Sequence, residues 1–254
     1  MTPRSPRRRA LALLVPLALL APSAAGCAGT SQPEISYEAY AVGAAPREVA
    51  AGDWTVTLER ATVAFGPVHF CASATGSATL CETALAEITE ITAVEALDPA
   101  PQPLGLVRGF TGTIRSASFD YGIHWFITEP QPEPAPAAPG GHSARVRGRA
   151  THEDGRVLEF TADVDVEAQF QGQRAVPSVP ASATVGEEGA RLEVRFDVSA
   201  WFERVDFDAL DADADADADA DGPVAIVPGS SAHDALVIAM SSQRPPELVW
   251  TPNP

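Results

Sequence analysis

Residues Ala144–Ala168 read ARVRGRATHEDGRVLEFTADVDVEA, and their alternation decides the fold. Ala144, Val146, Gly148 and Ala150 share one face of an extended strand, with Arg145, Arg147 and Arg149 on the other. On the return, Leu158, Phe160, Ala162, Val164 and Val166 alternate with Glu159, Thr161, Asp163 and Asp165. Both apolar faces meet one core only if paired residue numbers add to an even number, because a one-residue slip turns every side chain over. A two-residue Asp154-Gly155 turn sets Arg149 against Phe160. A three-residue loop, Glu153-Asp154-Gly155, pairs His152 with Arg156 and gives Gly155 the left-handed position such loops use. It predicts Arg149 opposite Glu159 and Arg145 opposite Asp163, exposed pairs worth roughly a few tenths of a kcal/mol each.

Working outward, Ile35–Val42 is a first strand. Trp54–Phe65 is the next, with Trp54, Val56 and Leu58 on one parity and Ala61, Val63 and Phe65 on the other. The switch near Arg60 implies a bulge. Gly66-Pro67 turns the chain into a strand at Val68–Cys71. Leu80–Ile91 carries Ala84, Leu85, Ile88 and Ile91 at helical spacing and predicts a short helix. Leu104–Ile114 and Ser118–Thr128 read as a strand pair. Glu129–Gly141, with five prolines and two glycines, reads as an extended surface loop. Ala190–Val198 alternates again, Trp201 and Phe202 continue its apolar surface, and Val224–Val227 and Leu248–Trp250 are closing strands. Ala235–Met240 fits either period. The expected fold is all-β: an antiparallel β-sandwich of about eight strands, one short helix and a disordered acidic loop.

The N-terminus has a different character. Arg4, Arg7, Arg8 and Arg9 precede an apolar run, Ala10–Pro22, of secretory-signal length and too short to span a bilayer. Ala24-Ala25-Gly26-Cys27 follows and resembles the lipobox of bacterial lipoproteins, with Ala24 where that family usually has Leu. The resemblance implies a signal peptide over 1–26, acylation of Cys27, a tether over 27–33 and a single ectodomain over 34–254. Ala28 after the cysteine implies export to the outer membrane rather than retention at the inner one. Cleavage leaves 228 of 254 residues and shifts the formal charge from −17 to −21, since four arginines and no acids are lost. That surface disfavours nucleic acid and anionic lipid. Every basic residue is arginine, a sign of GC-rich coding.

Three cysteines are present. With Cys27 assigned to lipid, Cys71 and Cys81 form an even pair in an exported chain and are read as a disulfide. The alternative is a soft-metal site for copper or zinc, since His69 and Cys71 point the same way on a strand. No second histidine stands nearby to complete it. A second metal reading, for calcium, falls on Asp217, Asp219 and Asp221, which open a D-x-D-x-D-G pattern. Its twelfth position is Pro228 rather than an acid. The plainer reading of 206–222 is a low-complexity acidic tract kept solvated by self-repulsion, with weak, nonspecific divalent-cation binding and no dedicated cofactor.

No G-x-S-x-G, H-E-x-x-H or P-loop pattern occurs, and Ser230, Ser231, His233 and Asp234 are merely adjacent. His124, His142, His152 and His233 are scattered and read as packed or surface side chains. The segments WTVTLERATVAFGPVHFCASATGSATLCE (54–82), GFTG and FDYGIHWF are similar to uncharacterised envelope lipoproteins of GC-rich Gram-negative bacteria. The strand pattern is more distantly similar to periplasmic β-sandwich proteins that bind copper, with no ligand motif to carry over. The expectation is a lipid-anchored cell-envelope protein, not an enzyme, whose ectodomain binds or scaffolds a protein or small ligand. The alternative is a periplasmic metal-handling lipoprotein.

Overall fold

A computed structural model describes residues 32–74, 84–216 and 222–252, with the backbone alone for 213–216. Residues Gln32–Pro254 form one compact unit. In chain order the strands are β1 (Glu34–Gly43), β2 (Val49–Ala51), β3 (Trp54–Phe65), β4 (Val68–Cys71), β5 (Ala84–Ile88), β6 (Thr92–Glu95), β7 (Gln102–Phe110) and β8 (Gly112–Phe119). They continue as β9 (Ile123–His124), β10 (Glu133–Pro134), β11 (Ala144–His152), β12 (Val157–Val164), β13 (Val176–Val185) and β14 (Ala190–Phe196). Helix α1 (Phe207–Ala216), β15 (Val224–Ile226), α2 (Ser231–Ile238) and β16 (Glu247–Pro252) complete the chain.

The fold is all-β, in two large sheets. One has the order β13-β8-β4-β5-β7-β1-β14-β16; the other runs β15-β12-β11-β3-β2, with β6 sharing the β3 edge. Sixteen strands among the described residues replace the expected eight or so. Several of them are only two to four residues long, too short to show a period of two. Nor is the sandwich purely antiparallel: β1 pairs with β14 in parallel, and β12 with β15 likewise.

The hairpin has the anticipated register, with Arg149 opposite Glu159 and Arg145 opposite Asp163. The His152 N–H donates to the Arg156 carbonyl, and Gly155 has φ of 92°. The Arg156 backbone N–H, then its side chain, hold the exposed Asp154 carboxyl down to about 2. The parity switch in β3 is a register shift: Arg147 pairs with Arg60 and Gly148 with Leu58, leaving Glu59 as the extra residue. Trp54, Val56, Leu58, Ala61, Val63 and Phe65 are all buried as a result.

Four other expectations are corrected. The helix expected over Leu80–Ile91 is, from Ala84 onward, strand β5, held between β4 and β7. Its burial alternates at Leu85, Ala86, Glu87 and Ile88, so sheet pairing overrides a helical spacing that rested on four residues. The segments around Leu104–Ile114 and Ser118–Thr128 do not pair with each other; β7 joins β1 and β5, while β8 joins β4 and β13. The Pro-rich 129–141 segment buries Ala135 and Ala138 and pairs Glu133-Pro134 with β9. The acidic tract begins as helix α1, where Phe207 and Leu210 are buried, Asp206 Oδ1 caps the Ala209 N–H at 3.0 Å, and alanine supplies helix propensity. Phe207 packs 6.1 Å from Trp54 and 5.4 Å from Phe160. The ambiguous Ala235–Met240 segment falls in α2 and the π-turn that follows it.

An added Cβ at Gly155 meets no atom within 4 Å, so only backbone conformation opposes a side chain there. Gly155→Ala is expected to cost about 1 kcal/mol, a fall of about 2–4 °C in melting temperature. An unchanged melting curve would argue against the three-residue loop.

Candidate functional site

The aromatic run after β8 contains one acid, Asp120, and the fold buries it completely. Val68 and Val176 flank Phe119 on neighbouring strands, so the residue after β8 lies beside the entry to β13. There the Arg174 guanidinium donates to Asp120 Oδ2 at 2.7 Å and the Ala175 N–H donates to Oδ1 at 2.7 Å. Burial pushes the Asp120 carboxyl up, against the pull of Arg174 and the Ala175 N–H. Arg174 also lies over the Phe126 ring at 6.0 Å, and the His124 ring packs 4.4 Å from Phe126. His124 Nε2 reaches Glu129 at 4.0 Å.

His69, on β4, pairs in register with Ser118 and Glu87. Its Nδ1 is 3.4 Å from Glu87 Oε2. Burial, then the charge of Arg174, push its imidazole down to about 4, so it is neutral at pH 7. Sequence reading singled out His69 and read His124 as a packed or surface side chain, which the structure places against Phe126, but missed Asp120 and Arg174. The available signal was a lone acid inside FDYGIHWF, because an isolated carboxylate in an apolar strand needs a buried partner.

The other anticipated positions separate into two groups. Cys71 is fully buried and disulfide-bonded, its sulfur 3.9 Å from the His69 carbonyl oxygen. Cys27, Cys81, Asp217, Asp219 and Asp221 lie outside the described residues. No group of three or more His, Cys, Asp or Glu among the described residues is placed to hold a metal ion. Ser230 caps α2 by accepting the His233 N–H at 3.2 Å. His233 accepts the Asp165 N–H through Nε2 at 3.1 Å, and His142 Nδ1 meets Asp165 Oδ1 at 2.9 Å. These groups tie α2 to β12 and the 139–142 turn, and their serine is spent on a helix cap.

Beside the Asp120 cluster, two loops are stitched together: the Gly172 N–H donates to the Trp125 carbonyl at 2.8 Å and Gln171 Nε2 donates to the Ile127 carbonyl at 3.0 Å. They expose Phe126, Ile127 and Phe170, with Ile127 80% exposed. The site is therefore a rigid, buried charge pair that supports an apolar loop end.

No family model and no curated protein matches the chain. Among solved structures it is similar to MbnP from Methylosinus trichosporium, with a TM-score of 0.33 and 11% identity over 69% of this chain and 79% of that one. A likeness that weak carries no argument about function.

Asp120→Asn leaves a nearly buried guanidinium without its carboxylate and is expected to cost about 3–5 kcal/mol in denaturant unfolding. The double variant Asp120→Asn/Arg174→Met should recover most of that loss; additive losses would mean the pair is not coupled. The folded-state pKa of His69 lies below its ordinary 6.5, so its contribution is complete above pH 6.5 and is lost as pH falls toward 4. The loss is on the order of 3 kcal/mol. His69→Gln should flatten that part of the stability profile, and an unaltered slope would remove His69 as its source.

Proposed function

We propose that the chain is a lipid-anchored protein of the cell envelope whose β-sandwich is a non-catalytic binding module. The supporting observation is the polarity of the larger sheet. Each step from β1 through β7, β5 and β4 to β8 is antiparallel, so β8 runs in the same direction as β1. The residues after β8, including Asp120 and the apolar loops, lie at the end opposite the start of β1. Six residues lie between Cys27 and Glu34, seven Cα steps that span at most about 25 Å. Anchored through Cys27, the domain stands with Phe126, Ile127 and Phe170 turned away from the bilayer, toward an envelope partner. The lipobox-type sequence and Ala28 favour the outer membrane.

Non-catalytic action fits the chemistry of the interior. Asp120 and His69, whose proton affinities burial displaces in opposite directions, are buried near Arg174, with His69 also beside Glu87, where they have little access to a substrate. Cys71 is paired with Cys81 in this reading, which removes the thiol that a His69 metal site would need.

Three outcomes test the proposal. The wild-type chain should partition into detergent and carry acyl chains on its N-terminal cysteine, while Cys27→Ser should partition into water. The mature chain should weigh two hydrogens less than its reduced form and bring no metal through native mass spectrometry. A reduced chain holding one copper or zinc would replace this reading with metal handling. Cys81→Ser should lower stability by about 2–3 kcal/mol.

A further inference from the structure

On the outer face of the smaller sheet, Arg60, Arg145 and Arg147 border one cleft of about 310 Å³ together with Thr62, Thr161 and a single acid, Asp163, which Arg145 neutralises. We infer that this cleft is a binding site for a small soluble oxyanion, a phosphate or sulfate group.

The whole molecule is strongly acidic, with 34 acids and 17 arginines, yet the cleft itself is lined by three arginines and one acid, Asp163. Four arginines, counting Arg149, stand on this face. Arg145 bonds Asp163 at 2.7 Å, Arg147 reaches Glu59 at 3.2 Å and Glu159 at 3.7 Å, and Arg149 reaches Glu159 at 3.4 Å. Those three carboxylates serve three arginines. Arg60 has no carboxylate within 4 Å among the described residues and sits directly opposite Arg147. Like charges paired across strands repel unless something neutralises them. Glu95 and Asp98 border Arg60 on its other side and keep their charge, but neither comes within 4 Å of its guanidinium; Glu95 Oε1 accepts from Thr62 Oγ1 at 3.0 Å and Asp98 Oδ1 accepts the Ala100 N–H at 2.9 Å.

Two backbone features shape the cleft. The β3 bulge turns both Glu59 and Arg60 outward in succession, which no regular strand does. Gly140, at φ of 64°, lies against the Arg145 guanidinium; a Cβ there would come within 2.9 Å of Nη1. The positive φ favours glycine there, and a side chain would have to push the flexible Arg145 guanidinium from the rim. Arginine forks present paired N–H donors that match phosphate and sulfate geometry, and the Thr161 hydroxyl adds one more donor. The volume is at the lower end of small-ligand sites, room for an oxyanion group on a small molecule.

Calorimetric titration of the mature, detergent-solubilised protein with inorganic phosphate at low ionic strength tests the assignment. Saturable binding at one phosphate per chain is expected, weakened at least tenfold by Arg60→Gln and by Arg147→Gln. Arg149→Gln, which removes the same charge from the same face outside the cleft, should change affinity by less than twofold. Without phosphate, Arg60→Gln should melt at or above the wild-type temperature, because a repulsive pair has been relieved. No saturable heat, or equal weakening by Arg60→Gln and Arg149→Gln, would overturn the site in favour of diffuse charge. A lowered melting temperature for Arg60→Gln would overturn the repulsive pairing on which it rests.

Discussion

A single inserted residue, Glu59, lets one strand serve one core along its whole length. Trp54, Val56 and Leu58 carry even numbers; Ala61, Val63 and Phe65 carry odd ones. In an unbroken strand the second set faces solvent. With the bulge all six face inward, and Phe65 becomes the junction of the two sheets. Its ring lies 5.0 Å from Phe119 on β8 and 5.4 Å from Phe196 on β14, strands far apart in the order of the larger sheet. That sheet must therefore curl around Phe65. Phe70 on β4 and Trp250 on β16, 5.5 Å apart, reflect the same curvature. Aromatic pairs of this kind each add about 0.5–1.5 kcal/mol beyond the area they bury.

Strand pairing also brings together groups that the chain keeps apart. Asp120 and Arg174 are separated by 54 positions and meet because β8 and β13 are neighbours. A carboxylate with no exposure is tolerable there because it accepts from both a guanidinium and a backbone N–H. Replacing the pair with apolar groups of equal size costs little in general, whereas removing one member costs much. The pair contributes position more than stability: it fixes where the 125–129 and 170–173 loops leave the sheet. His124 and Phe126 pack onto that fixed point, and the exposed side chains beyond them inherit its rigidity.

What was legible in the sequence followed from local alternation with one buried face. The Ala144–Ala168 hairpin was readable to the residue, because parity excluded the two-residue turn and Gly155 supplied the required conformation. The β3 bulge was readable for the same reason. The parallel β1–β14 pairing was not, since its partners are some 150 residues apart and no turn chemistry links them. Strand β5 was misread because Leu85 and Ile88 satisfy a helical spacing as well as they do an edge of the pleat. Pairing with β4 on one side and β7 on the other settles the matter, with Gly109 of β7 close against Ala86. In the acidic tract, the repeat concealed its own anchor: Phe207 and Leu210 are one helical turn apart and both buried, Phe207 docks on Trp54 and Phe160, and Trp54 Nε1 donates to Asp208 at 3.0 Å. Helix α1 forms because two apolar residues lead an alanine-rich run, despite its charge.

The bulge also links the interior to the outer surface. To face Ala61, Val63 and Phe65 inward, the strand must turn two successive side chains outward at Glu59 and Arg60. Glu59 is drawn to Arg147, and Arg60 is left opposite that same arginine. A carboxylate or a hydroxyl at position 60 would have satisfied the fold equally well, since the residue contributes nothing to the core. An arginine there offsets part of the chain's excess of acids but sets one guanidinium against another, Arg147. The core requires the bulge but is indifferent to its charge. An oxyanion in the cleft would supply that third guanidinium with the counter-charge that Arg147 denies it.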